Sequence, residues 1–162
     1  MTNLEDFIRD VPDFPKPGIV FKDITPLLGD HGAFQATIQQ MKAGLEGVPC
    51  DAIVGMESRG FLFGAALALE MGVGFIPVRK PGKLPAETIS EEYSLEYGTD
   101  TIEIHKDALQ AGQNIVVVDD LIATGGTAAA TCNLIEKLGG KVPALMFLIA
   151  LDFIPWRDKL GD

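Results

Sequence analysis

The run at residues 114–119, Asn-Ile-Val-Val-Val-Asp, constrains the fold more than any other part of the chain. An unbroken apolar run rich in β-branched residues is typical of a strand that is buried on both faces, as in a parallel sheet. Parallel strands need long crossover connections, which are usually helices. We therefore expect an α/β fold with a mostly parallel twisted sheet flanked by helices.

The same alternation extends along the chain. Short apolar runs predict strands at residues 51–55, 74–78, 114–119 and 142–151. Apolar residues at helical spacing predict helices at residues 3–9, 31–46, 60–71 and 127–138. A chain of 162 residues with this pattern fits a single domain that can bury a sizeable core.

Two segments depart from this alternation. Residues 12–18 contain three prolines, which fix the backbone and remove N–H donors, so they predict an ordered loop before a short strand at 19–21. Residues 93–97 and 101–104 alternate apolar and polar side chains as the two strands of a hairpin do. The segment before this hairpin is polar and contains proline and glycine.

The charge balance limits the choice of partners. The chain has 13 basic and 23 acidic residues, a net charge of −10, which argues against nucleic acid or an anionic membrane surface as the main partner.

Its longest apolar run is shorter than the ~20 residues of a membrane span, and its acidic start has no signal-peptide pattern. Cys50 and Cys132 have no metal or redox spacing. We expect a cytoplasmic protein.

The strongest motif is the segment at residues 116–128, Val-Val-Val-Asp-Asp-Leu-Ile-Ala-Thr-Gly-Gly-Thr-Ala. Glycines before a helix let backbone N–H groups converge on an anion, and the helix N-terminus adds partial positive charge. Asp119 and Asp120 would repel a phosphate but suit vicinal hydroxyls or a hydrated Mg²⁺. Together these features fit a ribose 5-phosphate. The alternative is a tight strand–helix turn that Asp120 caps.

Other nucleotide and hydrolase motifs are absent. No lysine follows the glycines as in a Walker loop, and no Gly-x-Gly-x-x-Gly occurs in the chain. The sequence Gly-Met-Glu-Ser-Arg-Gly at residues 55–60 differs from a nucleophile elbow at its first glycine, and no histidine completes a triad.

Two segments supply cations. Arg59 lies between a predicted strand and helix, where anions bind, and its guanidinium can hold phosphate oxygens with two hydrogen bonds. Residues 79–83, Arg-Lys-Pro-Gly-Lys, form the only dense basic cluster in an acidic chain and would concentrate a polyanion there. The alternatives are a surface salt bridge at Arg59 and a solvated loop at 79–83.

The segment at 116–128 resembles the phosphoribosyl-pyrophosphate (PRPP) signature of the type I phosphoribosyltransferases. Residues 13–27, 55–64, 78–84 and 93–109 are similar to the adenine-specific members of that family. The resemblance implies the family fold as one domain, residues 1–162, with a small N-terminal hood at about 1–30 and a flexible β-hairpin lid at about 80–104. It implies transfer of the 5-phosphoribosyl group from PRPP to adenine, giving AMP and pyrophosphate in purine salvage. It also implies a homodimer that uses Mg²⁺ held mainly through PRPP and water.

The resemblance also assigns roles to individual residues. The residues expected at the 5′-phosphate are Ala123, Thr124, Gly125, Gly126 and Thr127. Those expected at the pyrophosphate are Ser58, Arg59, Arg79, Lys80 and Lys83. Those expected at adenine are Val20, Phe21 and Lys22 of the hood, with Leu121 on the other face. The catalytic set is Glu96, for the purine proton, with Arg59 and the ribose-binding Asp119 and Asp120.

Three alternatives remain at this stage. The chain can be a regulatory module that senses PRPP or a nucleotide without catalysis, or a phosphoribosyltransferase for another base. Glu96 can be an exposed neighbour of Leu95 and Tyr97 with no role in the reaction. The sequence at Ile154, Pro155 and Trp156 departs from the polar pattern of the family, which normally continues through another strand, so we expect a changed C-terminal edge of the sheet.

Overall fold

The structure, a computed structural model, describes residues 2–95 and 97–160. The chain forms two compact units, Met1–Gly44 and Leu45–Asp162. Within the described residues, no helix is long and apolar enough to cross a membrane.

The first unit is a short hairpin followed by helices. Its elements are a 3-10 helix at Leu4–Phe7, strands β1 (Arg9–Pro12) and β2 (Val20–Asp23), and helices α1 (Thr25–Gly29) and α2 (His31–Gly44). The predicted helix at 3–9 is wrong in its second half, because Arg9 begins a strand that pairs antiparallel with β2. The Arg9 guanidinium donates to the Asp23 carboxylate at 3.0 Å across the same pair. The predicted loop at 12–18 leads into β2 as expected, but it begins only after Pro12, which is the last residue of β1.

The second unit contains the parallel sheet. Its elements are β3 (Ala52–Met56), α3 (Arg59–Met71), β4 (Gly74–Val78), β5 (Thr88–Ser94), β6 (Thr99–His105), β7 (Ile115–Ile122), α4 (Gly126–Lys137), β8 (Leu145–Ala150) and α5 (Arg157–Leu160). The strand order is β4-β3-β7-β8, and every neighbouring pair is parallel. The apolar run that predicted this sheet forms the start of β7, where residues 115–118 have no exposed surface. The predicted α/β fold is confirmed.

Strand β7 is longer than its apolar run. Asp119 pairs with Phe147 of β8, and Leu121 and Ile122 pair with the last two residues of that strand. The two acids therefore lie within the strand, not after it, because β8 continues the ladder beyond the point where β3 stops. The predicted strand at 142–151 begins only at residue 145, since Pro143 has no N–H to donate to a ladder.

The predicted hairpin forms with longer strands that are shifted along the chain. Its pairing runs from Thr88 opposite His105 to Ser94 opposite Thr99, so its first strand begins five residues before the predicted start at 93. The reason is burial: Ile102 and Ile104 of β6 lie in the core, and Ile89 of β5 packs against it. The hairpin base is thus part of the core of the second unit. The large exposed apolar side chains of this region, Leu95 and Tyr97, lie at the tip.

Candidate active site

The two acids of the PRPP-like segment lie side by side near the carboxyl end of β7. Asp120 is only 4% exposed, and its backbone N–H donates to Asp119 Oδ1 at 2.8 Å. Burial and the neighbouring Asp120 carboxylate raise the pKa of Asp119 to about 8.

The first turn of α3 packs directly against this acid pair. A Cβ atom on Gly60 would lie 2.8 Å from Asp119 Oδ1 and 3.2 Å from the Val118 carbonyl oxygen. Only glycine allows this close approach without displacing the carboxylate or the strand. Because β3 and β7 are neighbours in the sheet, the loop after β3 and the acids of β7 meet at the same edge.

Arg59 faces the second acid. Its Nε atom lies 2.8 Å from Asp120 Oδ2, and its side chain is 36% exposed while that of Asp120 is 6% exposed. The partner is buried, so the interpretation of Arg59 as a surface salt bridge is wrong. The contact is one of charge, because Asp120 Oδ2 has no hydrogen-bond partner among the described residues. That oxygen keeps an unused capacity to accept a hydroxyl hydrogen bond.

The glycine-rich loop after β7 opens onto a pocket. Gly125 adopts a φ of +81°, which permits the sharp entry into α4, and the helix begins at Gly126. The Gly126 N–H lies 3.5 Å from Thr124 Oγ1. The pocket has a volume of about 200 Å³, and its lining is residues 121–128 with Met56, Asp119 and Phe147. A cradle of backbone amides and one of the two acids therefore share one cavity.

Glu57 connects the basic cluster to the loop before α3. Its Oε1 accepts the Lys80 backbone N–H at 2.5 Å and lies 3.6 Å from Arg79 Nε. Its Oε2 lies 2.5 Å from Lys83 Nζ. Partial burial opposes its ionisation, but the hydrogen bonds from Lys83 and from the Lys80 amide, with the nearby positive charges, hold the pKa of Glu57 below its ordinary value. Sequence reasoning missed Glu57, although it lies within the motif that contains Arg59.

Lys80 also ties this loop to the hairpin. Its ammonium group forms an ion pair with Asp100 of β6 and donates to the Tyr93 hydroxyl at 3.1 Å. The Tyr93 hydroxyl in turn donates to Asp100 Oδ2 at 3.2 Å. Residues 81–83 of the cluster are exposed to solvent, but each of its three cations has a carboxylate neighbour.

The remaining predicted site residues belong to several elements, and one of them is outside the described part of the chain. Leu121 lines the pocket, and Ser58 immediately precedes α3. Val20, Phe21 and Lys22 belong to β2 of the first unit, where the Phe21 ring packs edge-on against Phe14 and Lys22 Nζ lies 2.5 Å from Asp10. Glu96 lies outside the described residues.

Comparisons with known proteins agree with this geometry. The family described as phosphoribosyl transferase domain matches residues 38–150. A curated adenine phosphoribosyltransferase of Thermoanaerobacter sp. is 58% identical over 99% of this chain and 92% of its own length. The crystal structure of the adenine phosphoribosyltransferase of Thermoanaerobacter pseudethanolicus matches with a TM-score of 0.96 at 58% identity, covering 98% of this chain and 94% of that one. The Saccharomyces cerevisiae adenine phosphoribosyltransferase, solved with an imino-altritol bisphosphate and adenine, matches with a TM-score of 0.92 at 46% identity over 98% and 92% of the two chains.

Replacing Gly60 with alanine tests the close approach between α3 and the acid pair. Because its Cβ would overlap Asp119 Oδ1, we expect Gly60→Ala to displace that carboxylate and to weaken ribose 5-phosphate binding at least tenfold. The matched control is Gly64→Ala in the same helix, whose Cβ would meet the Phe75 ring at 2.8 Å, away from the acids. Calorimetry on folded samples should show the binding loss in the first variant only. An equal loss of affinity in the two variants would contradict the role of the contact between Gly60 and Asp119 in binding.

Asp119→Asn tests the raised pKa of Asp119. An aspartate in the unfolded chain ionises near pH 4, so between that pH and about 8 the folded protein holds a proton that the unfolded chain releases. The contribution of Asp119 to the free energy of unfolding therefore falls as the pH rises towards 8. Asparagine does not ionise, so we expect the variant to unfold several degrees above the parent at pH 8.5 and at nearly the parent temperature at pH 4.5. If the unfolding temperatures of the variant and the parent differ by the same amount at both pH values, the raised pKa of Asp119 is refuted.

Proposed function

Because the chain belongs to the phosphoribosyl transferase family, we propose that it transfers the 5-phosphoribosyl group of PRPP to adenine, forming AMP and pyrophosphate. The observation that carries the proposal is the pocket in which the loop at 123–127 adjoins Asp119 of a buried acid pair. A phosphate group needs hydrogen-bond donors, whereas the hydroxyls of a diol need acceptors. Ribose 5-phosphate carries a phosphate and a diol, so it fits a pocket that offers donors on one side and carboxyl groups on the other. This activity places the chain in purine salvage.

The loop at 123–127 holds the 5′-phosphate. Its backbone N–H groups at the start of α4 and the hydroxyls of Thr124 and Thr127 are donors, and the helix N-terminus favours negative charge. With the phosphate held there, the ribose ring extends towards Asp119 and Asp120. Fixing both ends of the sugar orients C1′ for attack by the base, which lowers the entropic barrier of a two-substrate reaction.

The acid pair binds the ribose hydroxyls and stabilises the reacting sugar. Asp120 Oδ2, which is buried and has an unused acceptor site, accepts a hydroxyl hydrogen bond. Breaking the C1′–O bond leaves positive charge on the ribose, as in other oxocarbenium-like reactions. Negative charge on the acid pair stabilises this positive charge, so the interaction strengthens as the bond breaks.

Arg59 and the three cations of the 79–83 cluster receive the pyrophosphate. Arg59, Arg79, Lys80 and Lys83 each have a carboxylate neighbour in this structure, so the ligand replaces existing ion pairs and does not meet bare cations. Pyrophosphate carries more negative charge than a single carboxylate and competes well for arginine and lysine. Ser58 adds a hydroxyl at the start of α3. Glu57 is a positioning residue, because it acts on the ligand only through the cations that it gathers.

Mg²⁺ is the proposed cofactor. No group of three or more His, Cys, Asp or Glu side chains in the described part of the chain is arranged to hold a metal ion. Asp119 lines the pocket, and a carboxyl group there fits a cation that keeps most of its water and binds mainly through PRPP. When bound, Mg²⁺ neutralises charge on the leaving pyrophosphate.

The base-binding roles complete the proposal. Val20, Phe21 and Lys22 of the hood read adenine, Leu121 packs on its other face, and Glu96 handles the purine proton. Two of the solved relatives were crystallised with adenine or 9-deazaadenine, which supports a base site in this family. We further propose a cytoplasmic homodimer, with the hood at about 1–30 and the lid at about 80–104 acting within one domain.

A steady-state assay with PRPP, Mg²⁺ and each candidate base in turn tests the function. We expect pyrophosphate and nucleotide to form together with adenine, and the rate with guanine, hypoxanthine, xanthine or orotate to be at least 100-fold lower. The control is Asp120→Asn, which keeps the shape of the acid pair and should lose most of the turnover with adenine.

Two results would contradict the proposal in different ways. Turnover with another base would keep the PRPP site and overturn the assignment of the hood and Leu121. PRPP binding without turnover on any base would favour a regulatory module.

A further inference from the structure

The segment that follows β8 packs on the phosphate-binding loop. Its path is held by backbone hydrogen bonds from the Leu151 N–H to the Ile122 carbonyl at 3.0 Å and from the Lys159 N–H to the Trp156 carbonyl at 3.1 Å. A Cβ atom on Gly125 would meet the Trp156 carbonyl oxygen at 3.2 Å and Leu160 Cγ at 3.6 Å. The short helix α5 is therefore seated against the loop that receives the 5′-phosphate.

This seating brings one ammonium group to the start of α4. Lys159 Nζ lies 3.7 Å from the position that a Cβ on Gly126, the first residue of the helix, would occupy. A helix N-terminus carries partial positive charge, so a lysine beside it is unfavourable unless an anion lies between them. Among the described residues, no carboxylate lies within 4.0 Å of this ammonium group to explain its position.

The loop itself lacks a cation. Residues 123–127 offer backbone amides and the hydroxyls of two threonines, and the acids at 119 and 120 lie in the neighbouring part of β7. A phosphate dianion in this pocket therefore meets hydrogen-bond donors and two carboxyl groups. The cations of the 79–83 cluster are engaged with Glu57 and Asp100. A cation that adds to the helix N-terminus at the 5′-phosphate would therefore come from another element.

We infer that Lys159 supplies that charge: its ammonium group, which lies beside the first residue of α4, binds the 5′-phosphate of PRPP and AMP. The inference rests on the proposed function, because it assigns a further ligand to the same phosphate site. It gives α5 a role in substrate binding, although its residues lie thirty or more positions beyond the glycine-rich loop. Sequence reasoning had assigned no role to this segment.

The test compares AMP with adenosine, which differ only in the 5′-phosphate. Calorimetry should show that Lys159→Met weakens AMP binding about tenfold or more and leaves adenosine binding unchanged, since charged hydrogen bonds are strong. Lys159→Arg keeps the charge and should retain most of the AMP affinity. The matched control is Arg157→Met on the same helix, whose guanidinium stacks on the Trp156 ring at 4.1 Å and should not affect either ligand.

The outcomes separate this inference from the proposed function. If the parent chain binds AMP and Lys159→Met binds it equally well, or loses AMP and adenosine affinity alike, the inference is overturned and the proposed function is untouched. If the parent chain binds neither AMP nor ribose 5-phosphate, the proposed function fails and the inference fails with it. Because Lys159 is exposed, Lys159→Gln serves as a second charge-free variant, and equal thermal unfolding temperatures show that both variants are folded.

Discussion

Two adjacent carboxyl groups lie at least partly buried within one parallel strand, and the rest of the site is arranged around them. Strand β8 keeps the chain extended through both acids, Gly60 admits the Asp119 carboxylate against α3, and Arg59 faces Asp120. Burial and a neighbouring like charge both make ionisation of a carboxyl group unfavourable, and together they raise the pKa of Asp119. A protein retains such a pair where a ligand satisfies it, and a ribose diol offers two hydroxyl donors.

The parts of the account that the sequence predicted depend on local patterns. The apolar run before Asp119 predicted a doubly buried strand, and adjacent glycines before a helical stripe predicted an anion-binding turn. Both features are determined by backbone conformation and side-chain burial within about ten residues. The resemblance to the phosphoribosyltransferases rested on the same segments, which is why the family was identifiable without the structure.

The parts that were not predicted depend on contacts between distant residues. Glu57 gathers cations that lie 22 to 26 positions further along the chain, and no periodicity marks it. The first hairpin strand began earlier than predicted because Ile89 packs on a core that other elements build. Helix α1 is five residues long, too short for an apolar stripe, and Lys159 reaches Gly126 only through the path of the chain after β8.

We propose that the carboxyl pair holds the ribose hydroxyls while the glycine-rich loop holds the phosphate. The most direct measurement compares the affinities of AMP and 2′-deoxyadenosine 5′-monophosphate, which keep the same phosphate and base. The account predicts binding of the deoxy compound about tenfold or more weaker, and the loss of this difference in Asp120→Asn, since a hydrogen bond to a charged acceptor is removed in both cases. Equal affinities of the unaltered chain for the two nucleotides would contradict it.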